Sequence, residues 1–200
     1  VSFPHTLVPF QPPARDLVRA FTVRLDRSAD GLLQFHYRLD ADIARMRVPA
    51  VRERRQVDEL WKHTCFEAFV ALAGSASEQV SRAPPADAGL PTGAYRELNF
   101  APSTEWAAYA FTGYRAGMTP VAMTAPQIRV ESTPRSLELI APVDIRTLFA
   151  ANAADAVHPK LKIAIAAVLE DDAGGITYWA LQHAPARPDF HHPAGFSLEV

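Results

Sequence analysis

The stretch Val57-Asp-Glu-Leu-Trp-Lys-His-Thr-Cys-Phe-Glu67 brings three carboxylates, an indole, an imidazole and the chain's single thiol into eleven residues. Metal ligation is the first chemistry this set raises, since His63 and Cys65 would share one face of an extended strand. A structural zinc site takes about four ligands and a catalytic one about three. No second cysteine is present, and the adjacent His191 and His192 diverge on an extended chain. The plainer reading is a buried thiol acting as a small hydrophobe beside a surface imidazole, and neither a metal nor another cofactor is expected. A Cys–His nucleophile is equally weakly supported, because His183, His191 or His192 would have to approach Cys65 with no evident third residue to orient the pair.

The acids carry more. If the chain from Thr64 to Leu72 is extended, Cys65, Glu67 and Phe69 share one face, and Phe66, Ala68 and Val70 the other. On a second strand Tyr95, Glu97 and Asn99 align against Leu98 and Phe100. Two carboxylates and an amide on pairing strands would make the polar floor of a ligand-binding concavity, where each acid disfavours ionisation of the other. On the outside of the molecule the same acids would simply be solvated. A hydrolase using Glu67 and Glu97 is a further reading, but general acid and base catalysis also needs a suitable separation and unlike environments. Trp61 and Trp106 lie near strand entrances and are expected to stack on a ligand; Trp179, which shares a face with Leu181, is expected in the core.

The elements that must hold these groups are strands. Phe21, Val23 and Leu25 alternate with Thr22 and Arg24, and Leu33, Phe35, Tyr37 and Leu39 alternate with Gln34, His36 and Arg38. The turn-like Asp26-Arg-Ser-Ala-Asp-Gly31 between them predicts a hairpin. Further strands are predicted over Tyr95 to Phe100, Trp106 to Arg115, Arg135 to Ile140 and Phe196 to Val200. Ala41 to Leu60 reads as a loop with one helical turn, and Gly74 to Gly93 as a long surface connection. Asp144 is placed to cap a short helix through Phe149. Lys160 to Val168 suits a helix or a doubly buried strand, but Asp171-Asp-Ala-Gly-Gly175 followed by Ile176 to Gln182 favours a hairpin. These elements predict an all-β antiparallel β-sandwich with at most short helices, formed as one domain over residues 1–200.

Composition narrows the partners. Twenty Lys and Arg against 22 Asp and Glu give a net charge of -2, so there is no overall field for a polyanion. Arg47, Arg52, Arg54 and Arg55 lack a recognition fold and read as a solvated or salt-bridged surface; no nucleic-acid partner is expected. No apolar run reaches the roughly eighteen residues of a membrane span. The opening Val1-Ser-Phe-Pro-His carries no targeting signal, which leaves a soluble chain of the cytoplasm or a processed one of the periplasm.

The segments Asp58 to Phe69, Tyr95 to Trp106, Tyr114-Arg-Ala-Gly-Met118, Tyr178-Trp-Ala-Leu-Gln-His183 and Pro188-Asp-Phe-His-His-Pro193 together resemble the bacterial DOMON-like domain proteins related to family 9 carbohydrate-binding modules, from about Phe21 onward. The resemblance implies a jelly-roll sandwich and ligand binding rather than catalysis. Trp61 to Glu67 matches the segment entering a central strand, Tyr95 to Asn99 the strand beside the concavity, and Asp189-Phe-His-His-Pro193 the terminal Asp-Phe-His-x-Pro signature. The expected function is therefore non-catalytic binding of a carbohydrate-like or other small molecule through Trp61, Glu67, Tyr95, Glu97, Asn99 and Trp106. Because the wider group includes haem binders, a haem-binding electron-transfer domain is the alternative, with Met118, Met46 or Met123 and His183 or His36 as conceivable ligands.

Overall fold

Period-two alternation builds most of the chain into strands, seen in a computed structural model that describes residues 3–73, 93–149 and 159–200. The expected Gly74 to Gly93 connection thus falls, except for Gly93, outside the described residues. In chain order the strands are β1 (His5–Thr6), β2 (Val8–Pro9), β3 (Val18–Arg27), β4 (Leu32–Ala41), β5 (Cys65–Leu72), β6 (Tyr95–Phe100) and β7 (Trp106–Phe111). They continue as β8 (Thr119–Pro120), β9 (Arg129–Ser132), β10 (Ser136–Asp144), β11 (Leu161–Glu170), β12 (Ile176–Ala180) and β13 (Leu198–Glu199). The helix α1 (Ile145–Leu148) follows β10, with an Asp144 side-chain oxygen accepting from the Arg146 amide at 2.9 Å, as the capping position predicts.

Two antiparallel sheets form. One runs β1-β3-β4-β10-β9, and the other β2-β12-β11-β5-β6-β7-β8 with β13 beside β11. The predicted β3–β4 hairpin keeps register from Arg27↔Leu33 to Ala20↔Asp40 and shifts by a bulge before Val18↔Ala41, and Gly31 turns it at φ 87°, a conformation that costs glycine little. The inward residues of the first sheet, among them Phe21, Phe35, Tyr37 and Leu139, meet Phe66, Leu98, Phe100 and Ile165 of the second in one core. Phe66 is central, its ring lying 5.6 Å from that of Phe21 and 5.1 Å from that of Tyr37. Burying such rings on both sheets drives the packing, at roughly 25 cal/mol per Å² of apolar surface.

The second sheet is also covered on its outer face. There Phe69, Tyr95, Tyr109, Phe111, Ala164 and Ala166 are buried, with Leu60, Trp61, Phe190 and Phe196 packed against them from loops. This double burial explains why β11 shows no polar alternation. The strand expected over Trp106 to Arg115 stops at Phe111, because the chain turns through a Gly113–Ala116 bridge and Arg115 sits in the left-handed region at φ 51°. β9 went unforeseen: four residues, mostly exposed, leave no periodic signal. Among the described residues no helix is long and apolar enough to cross a membrane.

Candidate functional site

The outer face of the second sheet forms a cleft of about 610 Å³. Its floor comes from β5 and β6, paired so that Glu67 faces Asn99 and Phe69 faces Glu97. As the alternation predicts, Cys65, Glu67, Glu97 and Asn99 rise from this face while Phe66, Ala68, Leu98 and Phe100 enter the inter-sheet core. The acids are not solvated: Glu67 is 3% exposed and Glu97 5%. Below the strand, the Tyr37 hydroxyl of the first sheet donates to the Glu67 carbonyl at 3.0 Å and ties the floor to the core.

The walls come from loops distant in sequence. A 3-10 turn, Leu60–Lys62, brings Trp61 over Tyr109 with ring centroids 5.6 Å apart, and Tyr109 donates to Asp58 at 2.7 Å. That turn enters through Glu59 in the left-handed region, at φ 64°. The loop after β7 supplies Arg115 and Met118, β11 and β12 supply Val168, Ile176 and Tyr178, and the final loop supplies Pro188, Phe190 and His191. Asp189 anchors that final loop. It accepts from the Arg115 guanidinium at 2.8 Å, from the His191 amide at 3.2 Å and from the Tyr114 hydroxyl.

Tyr95 links two parts of this wall. Its oxygen accepts from the Arg115 amide at 3.2 Å and lies 2.8 Å from His191 Nδ1. The two share a hydrogen bond, and the other ring nitrogen, Nε2, lies 3.8 Å from Glu97. That is beyond hydrogen-bond reach. His191 is enclosed by the rings of Phe69, Tyr95 and Phe111, and burial, then Arg115, pushes its pKa down to about 4, so it is neutral at pH 7.

The floor carboxyls move the other way. Burial, then the neighbouring Glu97, holds the Glu67 carboxyl well above the usual carboxylate range, against a weaker pull from Arg115. Burial also raises Glu97, although Asn99 donates to it at 2.8 Å. Burial would raise Asp189 as well, but the Tyr114 and Arg115 hydrogen bonds outweigh it and hold Asp189 low. Among the described residues Glu67 Oε1 is buried without a hydrogen-bond partner, as are Arg27 Nε, Trp106 Nε1 and His183 Nδ1; of the four residues only Glu67 lines this cleft.

Of the six residues expected at a site, Trp61, Glu67 and Glu97 line the cleft. Tyr95 and Asn99 support it from beneath, fully buried and bonded to His191 and Glu97. Trp106 does not belong to it. Paired with Phe100, it shares that residue's face and packs in the inter-sheet core, so its position near a strand entrance was misleading. Trp179 lies in that core as expected.

His191 and Phe190 were not singled out as cleft residues, while the sequence offers Tyr178 only as one of several rings that could face a ligand and Arg115 as one of several arginines that could partner the acids. The signal that held two of them was the compact Asp189-Phe-His-His run, whose role depends on Arg115 far away in sequence.

The thiol and haem readings fare differently from the cleft. Cys65 is fully buried against Asn99, and burial, then Glu67, raises its pKa well above normal, which opposes a thiolate nucleophile. His63 instead pairs with Glu170 at 2.8 Å, and among the described residues no three His, Cys, Asp or Glu side chains gather to hold a metal ion. Met118 lines the cleft, but His36 bonds Glu138 on the other sheet, and His183 bonds the Val8 carbonyl. Arg47 and Arg55 are paired with Glu170 and Glu105, as a salt-bridged surface requires. Compared with known proteins, the chain matches no family model, no curated protein and no solved structure.

Proposed function

We propose that this chain is a DOMON-like sandwich of jelly-roll type that binds a small, carbohydrate-like molecule in the cleft without transforming it. The observation that carries the reading is the partnerless Glu67 oxygen, buried at the floor of a cleft walled by Trp61, Tyr178 and Phe190. Rings cover the apolar face of a ligand while a few converging polar groups fix its orientation. Glu67 and Glu97 supply those polar groups, and Arg115 and His191 lie against them already ordered by Asp189 and Tyr95.

Tryptophan fluorescence tests this directly, because Trp61 lines the cleft while Trp106 and Trp179 lie in the inter-sheet core. Titration with a panel of mono- and oligosaccharides should give a saturable change that Trp61→Ala abolishes, with the sugar recovered intact by chromatography. A folded protein that responds to no member of the panel argues against the assignment. Appearance of product would replace it with a hydrolase using Glu67 and Glu97.

A further inference from the structure

We propose that the molecule held in this cleft carries a positively charged amine, seated as an ammonium group against Glu67 and Glu97. The inference rests on the ligand-binding reading above and narrows it to a chemical class, an amino sugar or another small organic ammonium ion.

The balance of charge at the floor leads there. The cations lining the cleft already have carboxylate partners, Arg115 in Asp189 at 2.8 Å and Lys62 in Glu59 at 2.7 Å. The two floor acids have no such match. Among the described residues Glu97 accepts only from the neutral Asn99 amide, and neutral His191 lies 3.8 Å from it. Glu67 Oε1 has no partner and Glu67 is almost wholly buried. Facing Glu67 electrostatically are Glu97 from β6, Cys65 from its own strand, Tyr37 from β4 and Arg115 from the loop after β7; Arg115 is held by Asp189, and the acids disfavour each other's ionisation.

A ligand hydroxyl would meet the hydrogen-bonding need of Glu67 but leave that conflict in place. An ammonium group brings three donors and the missing charge, and charge-assisted bonds of this kind are roughly twice as strong as neutral ones. The rings of Trp61 and Tyr178 at the same cleft favour a cation as well. Binding then favours the Glu67 carboxylate: the proton that burial holds on the carboxyl passes to solvent to the extent that it is present, and the ammonium takes its place. Neither electrons nor covalent bonds to carbon change.

Matched pairs separate charge from shape. Glucosamine hydrochloride against glucose, and cyclohexylamine hydrochloride against cyclohexanol, are titrated at constant ionic strength with Trp61 fluorescence as readout, and by calorimetry at pH 7 in two buffers of unlike ionisation enthalpy. At least one amine should bind about tenfold or more tightly than its alcohol. It should bind with net release of protons, and Glu67→Gln should lose both effects. The amino sugar and the alicyclic amine distinguish a saccharide from a simple organic cation. Equal affinity within both pairs, or amine binding undiminished in Glu67→Gln, would overturn the inference and leave the binding reading standing. Silence from all four compounds overturns the inference, while the saccharide panel decides the binding reading separately.

Discussion

Glu67 makes the stability of the free protein depend on pH. Its carboxyl is raised in the folded state above a reference value of 4.5, so the native protein keeps a proton that the unfolded chain has lost. Stability is therefore fully present below the unfolded value and falls as pH rises through the folded one, at up to roughly 1.4 kcal/mol per pH unit for one proton. Glu97, also raised, acts in the same direction. Thermal unfolding of Glu67→Gln from pH 4 to 8 should show a shallower decline than the parent; parallel curves would clear Glu67 as the source. Tyr95→Phe removes the acceptor of the Arg115 amide and the hydrogen-bond partner of His191 Nδ1, and should cost about 1–3 kcal/mol in urea unfolding. The floor acids were legible because alternation alone fixes their face. His191 and Arg115 were not, since their place depends on a long-range contact through Asp189. Trp106 failed for a related reason: only its pairing with Phe100 reveals which face it takes.

Among the elements, the β3–β4 hairpin was the most readable, with one face in the core and the other in contact with water. β11 was the least, because alanines and branched residues fill both of its faces and no period distinguishes strand from helix. The turn after it decided the matter, with Asp171 accepting from the Ala173 and Gly175 amides at 2.9 and 2.8 Å. The loop following β7 carries a tighter constraint. Gly117 adopts φ +65°, and a Cβ there would collide with the Thr112 side chain. Gly117→Ala should therefore cost about 1–3 kcal/mol and weaken ligand binding through displaced Arg115 and Met118, measured together by calorimetric unfolding and the fluorescence titration. Loss of the cap in Asp144→Ala should be milder, about 0.5–2 kcal/mol, and leave that titration unchanged, because α1 lies away from the cleft.

At the scale of the molecule the two sheets depend on a shared core. Phe66→Ala empties a site between Phe21 and Tyr37 on the backbone that also carries Glu67, and should cost about 3–5 kcal/mol in a single cooperative urea transition. Separate transitions for the two sheets would contradict that dependence. The sandwich was foreseeable from the number of short strands, whereas the order of strands in each sheet was not, because sheet neighbours such as β4 and β10 or β5 and β11 lie far apart in the chain. The outermost strands have a consequence of their own. β1, β2 and β8 span two residues each, β2 and β8 contain Pro9 and Pro120, and β9 presents exposed Arg129 and Glu131. Such margins offer an incoming chain little unpaired backbone to zip onto, and charge and proline discourage what remains. Nearly half the residues are hydrophobic, yet among the described residues the sheet margins give few templates for fibril growth, so edge-to-edge assembly of folded molecules should be slow.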